Sequence, residues 1–521
     1  MKITRREAIV TGTVGALGAL ASVQPVSLFA ADDEPATRSK SAKVTLLQVN
    51  DVHGYMDLHL EWFAGPDSQG PVYRHAGGYA RIGALVKQIK NETQGRVLFC
   101  DNGDTFHGTY SVIKTEGEVL LPILNQMGMA AMTVHWDFAY GPQRLQELAS
   151  KLNHPVLAIN IYEIKSGKLF FPPYVVREVG GLKIGIIGIG SNIVDTNMPP
   201  HFSEGLHFTE GVKELPGFIQ EVRTKQGADL IVVLSHLGFP QDVKLASAVS
   251  GIDVLLSGHT HNRLFRPVVQ GNTLIIQSGS LGSFVGRLDL EVQNGKVVGH
   301  KHELIEVAES IQPDPTVDAL VREALKPYSE ELGRVVGEVS TTLNRNTELE
   351  ATMDNFLLAA ICEAADTPLG FTNGWRWGAP VHSGPVTNND LYNIVPMAVP
   401  ISTVELTGQE LKEMLEQNLE NTYSADPFRQ EGGYVKRCHG MTMYIKIENP
   451  AGMRIQDMFA GGERVQPDKT YRAAFLTVQA VPAKYGKNRQ NLPQPLHEAM
   501  VAYLAKHRPA SAELRGSVVA N

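Results

Sequence analysis

The sequence predicts two α/β domains in tandem behind an N-terminal export segment. Three observations carry this reading. The chain has 521 residues, room for two or three domains at roughly 100–200 residues each. Short continuous apolar runs, each closed by turn and polar residues, alternate with helical patterns over the first three hundred positions, as strands buried on both faces do. Near Ile311 the pattern gives way to a helical connection, and a second set of strands and helices follows. Hydrophobic residues at 43% and charged residues at 20% are close to globular averages, so wholesale disorder is excluded. Lys+Arg of 47 against Asp+Glu of 55 gives −8, which argues against a dedicated nucleic-acid binder.

In chain order, Lys2, Arg5 and Arg6 precede an apolar Ala/Gly-rich stretch and small residues at Ala30-Ala31. This reads as a cleavable signal over residues 1–31, and Thr4-Arg5-Arg6-Glu7 resembles a twin-arginine signal. Its removal takes away a net +2 and leaves −10. Residues 32–42 read as a linker. A first domain is expected over 43–308. Its strands are Val44–Val49, Arg96–Cys100, Lys183–Ile189, Leu230–Leu234 and Val254–Leu256, with helices at Ile82–Lys90 and Val119–Met127. A connecting helix is expected over 309–334 and a second α/β or α+β domain over 335–521. That domain includes a helix at Glu405–Asn418 and turns at Gly432-Gly433 and Gly461-Gly462. No other segment approaches 18 continuous apolar residues, so no stable membrane association is expected once the signal is removed. Cys100, Cys362 and Cys438 form no CxxC pair and read as buried thiols. Gly185, Gly188 and Gly190 have the wrong order for a dinucleotide fingerprint.

Polar residues fall directly after the predicted strands, at the edge where α/β folds bind ligands. Asn50-Asp51-Val52-His53, Asn102-Gly103-Asp104, Val134-His135-Trp136-Asp137, Ser235-His236 and Gly258-His259-Thr260-His261 stand there. Carboxylate oxygen and imidazole nitrogen together suit a borderline divalent metal. Each piece alone is ordinary, since a lone histidine is more often a packed one. Their joint occurrence in this order points to two metal ions, with manganese favoured over zinc or iron.

These pieces resemble the calcineurin-like metallophosphoesterases. Leu391–Pro396 and Leu406–Lys412 resemble the C-terminal domain of 5′-nucleotidases. The resemblance implies a four-layer αββα domain followed by a substrate domain. It implies one metal on Asp51, His53, Asp104 and His261, and another on Asp104, His135, His236 and His259. Where nucleotidases read Gly-Asn-His-Glu-Phe-Asp-Tyr-Gly, this chain has Val134-His135-Trp136-Asp137-Phe138-Ala139-Tyr140-Gly141. Trp136 replaces the catalytic His and Ala139 its Asp partner. Indole cannot protonate a leaving group. A thiolate leaves without such help, because a thiol has a pKa of about 8.5.

The thiosulfohydrolases of bacterial sulfur oxidation, the SoxB branch, carry a similar His-Trp segment and a Gly-Phe-Arg-Trp-Gly motif, matched here by Gly374-Trp375-Arg376-Trp377-Gly378. By that resemblance Arg376 binds sulfonate oxygens. The substrate would be a sulfonate on a carrier-protein cysteine. The chain departs from the branch in having only Gly54–His75 between His53 and Ala76-Gly77-Gly78-Tyr79-Ala80. His107 is a candidate substitute acid, and Trp136, Phe428 and Tyr485 are candidate substrate contacts. The expectation is a periplasmic dinuclear-metal hydrolase. A nucleotide phosphoesterase and a non-catalytic metal-binding or carrier-docking protein are the alternatives.

Overall fold

The computed structural model describes residues 41–65, 70–431 and 433–521. The signal, its cleavage site, most of the linker and Gly432 lie outside the described residues. Within the linker, Ser41 and Ala42 are not connecting chain. They open strand Ser41–Val49 and pair with Gln293 and Val292.

Two sheets stack in the N-terminal domain. One orders as Lys296–Glu306, Phe284–Gln293, Ser41–Val49, Val97–Asp101 and Ala131–Met132. The other orders as Val268–Gln270, Thr273–Ile276, Val254–Ser257, Leu230–Ser235, Leu182–Ile189 and Tyr174–Val179. Leu46, Leu98, Ile184, Val232, Leu234 and Leu256 fill the space between them, each such side chain contributing roughly 1.5–3 kcal/mol. Helices Tyr79–Glu92, Leu121–Met127 and Pro315–Leu325 join the apolar cluster on one outer face. Leu215–Thr224 and Phe239–Ala248 cover the other. The result is helix, sheet, sheet, helix, because every strand of the parallel core is apolar on both faces. Gly188 belongs to this packing: a Cβ there would lie 2.2 Å from the Leu157 carbonyl oxygen.

The expected helix at Val119–Met127 begins with a 3-10 turn, Glu118–Leu120. The expected single connecting helix is broken into Pro315–Leu325, a 3-10 turn Lys326–Tyr328 and Ser329–Gly333. Pro327 supplies no N–H to continue the first piece. Asp314 caps it by accepting from the N–H groups of Thr316 and Val317.

The C-terminal domain holds a five-stranded sheet ordered Arg437–His439, Leu369–Thr372, Thr470–Phe475, Pro400–Thr407 and Lys487–Pro495. The helix expected at Glu405–Asn418 runs instead from Gly408 to Tyr423. Glu405–Thr407 finish strand Pro400–Thr407, and Thr407 with Glu410 forms a capping box that fixes the start. Gly461-Gly462 do turn the chain between Ile455–Ala460 and Glu463–Arg464. Cys100, Cys362 and Cys438 are all free and buried. No helix among the described residues is long and apolar enough to cross a membrane.

The two domains meet through specific polar contacts. The Ala379 N–H donates to the Tyr55 hydroxyl (2.9 Å), Gln241 Nε2 to the Gln430 carbonyl (2.8 Å) and Gln479 Nε2 to the Asn197 carbonyl (3.0 Å).

Candidate metal centre

Register brings the ligand residues together. Val49 lies beside Asp101 in one sheet and Ser235 beside Ser257 in the other. Each parallel pair therefore ends level, and the residues that follow emerge side by side. The Asp51 N–H donates to the Gly103 carbonyl (2.9 Å) and the His53 N–H to the Asp104 carbonyl (2.7 Å). Gly103 has φ +89°, and a Cβ on it would meet the Thr133 carbonyl oxygen at 2.6 Å. Asp51, His53, Asp104, His259 and His261 all adopt left-handed backbone, with φ between 50° and 71°. Such conformations cost non-glycine residues energy and gather at functional sites.

Two groups result. Asp104, His135, His236 and His259 form one; Asp51, His53, Asp104 and His261 form the other. His135 Nδ1 stands 3.2 Å from Asp104 Oδ1, and His236 Nε2 stands 3.4 Å from Asp104 Oδ2. His53 Nε2 is 3.6 Å from Asp104 Oδ2, and His261 Nε2 is 3.2 Å from Asp51 Oδ1. His53 and His261 bring their Nε2 atoms to 3.3 Å of each other. Five imidazoles here each keep one buried nitrogen without a hydrogen-bond partner. Of these, His236 Nε2 faces both carboxylates, 3.6 Å from Asp51 Oδ1 and 3.4 Å from Asp104 Oδ2, and imidazole nitrogens gathered around two shared carboxylates fit a pair of divalent cations.

Electrostatics agrees. Burial opposes charge on Asp104, yet His135, His236 and His53 hold its carboxyl well below the usual range. Burial also opposes a charged His236, but Asp104 and Asp51 overcome it and lift its pKa to about 9. Burial drops His53 to about 4.

A supporting layer escaped the sequence reading. Asp137, fully buried, accepts four backbone N–H groups: Asp104 and His135 on Oδ2 (3.0 Å each), Thr105 and Phe106 on Oδ1 (2.9 Å each). Asn102 donates to the Ser235 and Leu256 carbonyls across the two sheets, and its own carbonyl receives His236 Nδ1–H at 2.5 Å. That bond turns His236 Nε2 toward the cluster. Asp242 receives the hydroxyls of Ser235 and Ser257, both at 2.5 Å. Asp137 and Asn102 sit inside the singled-out motifs, so position alone pointed to them. Nothing in the spacing marked Asp242.

The cluster opens on a cavity of about 80 Å³, walled by His53, Asp104, His135, Trp136, His259 and His261 from one domain and by Trp375, Arg376 and Trp377 from the other. It continues into a wider one of about 500 Å³ between the domains. The Trp136 N–H donates to Asp104 Oδ1 (2.7 Å). Partly buried Arg376 donates from Nη2 to the His259 carbonyl, so it faces the cluster.

Three candidates sit elsewhere. His107 stacks on Trp136 with ring centroids 4.6 Å apart. It lies off the cavity wall, and burial lowers its pKa to about 3, which favours the neutral imidazole. Phe428 packs against the apolar cluster under the outer helices of the second sheet and lines a separate groove. Tyr485 is buried in the C-terminal core and donates its hydroxyl to Gln417 Oε1 (3.1 Å). Neither ring reaches the cavity, because local packing already occupies it.

Residues 44–263 match the calcineurin-like phosphoesterase family and residues 333–479 the 5′-nucleotidase C-terminal domain. The chain is 24% identical over 490 residues, 83% of its length, to the trifunctional nucleotide phosphoesterase protein YfkN of Bacillus subtilis, but spans only 31% of that protein. It is 24% identical to a 5′-nucleotidase of Vibrio parahaemolyticus, covering 82% of each chain. Among solved structures, sulfate thiohydrolase SoxB of Thermus thermophilus superposes with a TM-score of 0.84 at 26% identity, over 92% of this chain and 96% of that one. A 5′-nucleotidase precursor of the same organism gives 0.79 at 22% identity, over 92% and 99%. With both domain types present in this order around one Asp/His cluster, the chain joins a calcineurin-like phosphoesterase domain to a 5′-nucleotidase C-terminal domain, the two parts of a metal-dependent hydrolase.

Proposed function

We propose that the protein is a periplasmic thiosulfohydrolase, exported by the twin-arginine route, which releases sulfate from a thiosulfonate carried on a carrier-protein cysteine. We assign residues 43–308 to the metal-holding domain, 309–334 to the connection and 335–521 to the substrate domain. The observation that carries the reading is the wall around the cluster. Trp136 and Ala139 stand where a nucleotidase has its acid and that acid's partner, and His107 packs behind Trp136, off the cavity wall. A departing persulfide needs no proton from the protein.

Asp51, His53, Asp104 and His261 would hold one cation, and Asp104, His135, His236 and His259 the other, with manganese favoured. Such a pair supplies an activated water and neutralises charge on the oxyanion under attack. Arg376, tethered to the His259 carbonyl, binds the sulfonate oxygens from the opposite domain. The new oxygen–sulfur bond forms as the sulfur–sulfur bond breaks. The persulfide leaves with the electron pair, and the water's protons pass to solvent. The wider cavity carries carboxamides at Asn197, Asn373, Gln417, Asn418, Asn421 and Gln479. Amides donate and accept, as the backbone of an extended cysteine-bearing arm requires.

A second reading is nucleotide phosphoester hydrolysis. Glu431 favours it, a carboxyl on the cavity wall whose pKa burial raises, which is the form of a proton donor. The test offers the manganese-loaded protein two substrates. A protein cysteine S-thiosulfonate should yield sulfate, while AMP yields no phosphate. Phosphate alone, lost in Glu431→Gln, would replace the first reading with the second.

A further inference from the structure

Three of the chain's four tryptophans line the small cavity: Trp136, Trp375 and Trp377. Trp375 and Trp377 are 4% and 3% exposed and stack with centroids 5.2 Å apart. Their Nε1–H groups have no acceptor, and neither does Nε of Arg376 between them. Buried donors are almost always paired, and an orphan forfeits its solvation. Three orphans on consecutive residues of one wall, opposite a cation-binding cluster, describe a place where an acceptor is missing.

The loop that bears them is held from behind. Arg345 donates to the carbonyls of Trp377 (3.0 Å) and Ile394 (2.8 Å), and is itself paired with buried Asp354 (3.1 Å). Trp377 also lies edge-on to Trp136, with centroids 4.7 Å apart. The indoles are fixed by packing, so their donors are set before a ligand arrives, which spares ordering cost on binding.

We infer that Trp375 and Trp377 donate their indole N–H groups, together with Arg376 Nε–H, to the oxygens of a tetrahedral oxyanion that point away from the metals. An indole nitrogen donates and never accepts. A hydroxyl oxygen accepts more weakly than an ionised one, so that wall favours an oxygen bearing no proton, as in a sulfonate or sulfate. The inference takes the cavity as the reaction site of the proposed function but does not depend on which bond is cleaved there.

The probe is sulfate, titrated calorimetrically into the metal-loaded protein, with metal content measured in every sample. Trp375→Phe and Trp377→Phe keep an aromatic ring and remove only the donor-bearing part. Each should weaken sulfate binding about tenfold or more, the loss expected for a hydrogen bond to a charged group. Trp62→Phe is the control: its Nε1 is likewise unpartnered, but its ring lies beneath Arg263, 4.3 Å from centroid to guanidinium, and off the cavity wall. A second measurement needs no substitution. In zinc-loaded protein, the indole N–H resonances of Trp375 and Trp377 should move on saturation with sulfate and that of Trp62 should not.

Unchanged sulfate affinity in both variants, or indole resonances that stay put at saturation, overturns the inference. Tryptophan-dependent sulfate binding without sulfate release from the thiosulfonate would overturn the proposed function and leave this inference standing.

Discussion

Replacing Asp137 by Asn tests whether one buried carboxylate holds the metal loops. Each Asp137 oxygen receives two backbone N–H groups at 2.9–3.0 Å. An amide has one oxygen, so whichever way it turns, two N–H groups face an NH₂. Two hydrogen bonds to a charged acceptor, at about 1.5–3 kcal/mol each, set a gross loss of about 3–6 kcal/mol. Burial and the Asp104 charge already push the Asp137 pKa up, so relief of that penalty places the net loss near the lower bound, about 3 kcal/mol. Urea denaturation at pH 7 should show a lower midpoint at constant slope. Asp104 and His135 both lose a backbone anchor in one orientation of the amide, so metal affinity should drop about 10–100-fold, as for loss of an outer-shell partner. A stability change below about 1 kcal/mol would refute the hydrogen-bond reasoning. Lost stability with unchanged metal affinity would refute the positioning role.

Other expectations follow from the same geometry. Asp354→Ala leaves Arg345 and Arg437 buried without their shared carboxylate, which each now meets at 3.1 and 3.3 Å; unfolding free energy should fall about 3–5 kcal/mol, read from denaturant curves. Asp104→Asn neutralises the residue common to both groups, so bound metal should fall from two ions to one or fewer by elemental analysis, with turnover down about a hundredfold or more. His236, with its pKa lifted to about 9, holds a proton at pH 7 that a metal must displace. Binding should release about one proton and tighten about tenfold per unit from pH 7 to 9, visible by calorimetry in buffers of different ionisation enthalpy. Asp242, raised by burial to about 7, keeps a proton in the folded state that the unfolded chain gives up near pH 4. Folding stability therefore declines as pH rises through that window. Asp242→Asn lacks this dependence and should gain about 4 kcal/mol on the parent between pH 4 and 8, and a constant difference in urea midpoints would count against it.

The α/β class and the strands bearing Asp51, Asp104, His236 and His259 were legible because a doubly buried strand is a continuous apolar run, and its end is marked by the polar residues that follow. Element ends were less legible. Thr407 as a cap needs the side chain's actual bond to Glu410 N–H, and Pro327 as a break competes with an otherwise helical pattern. The left-handed backbone at Asp51, His53, Asp104, His259 and His261 had only a weak signature, since Asp and His visit that region more often than other side chains but mostly do not adopt it. Phe428 and Tyr485 looked free because sequence cannot say which apolar surface an aromatic ring will meet first. The Arg345–Asp354–Arg437 triad joins residues that only the tertiary fold brings together.

Trp136 touches the cluster through its main chain: its N–H serves Asp104 whatever side chain it bears, and Asp137 next to it fixes the turn. Ala139 lies on the same short 3-10 turn, Trp136–Tyr140. The atom of Trp136 that supports the cluster and its side chain thus belong to separate layers. If the proposed function holds, reaction preference is an exchangeable cassette, one that can be rewritten at two side chains while the scaffold beneath keeps its shape.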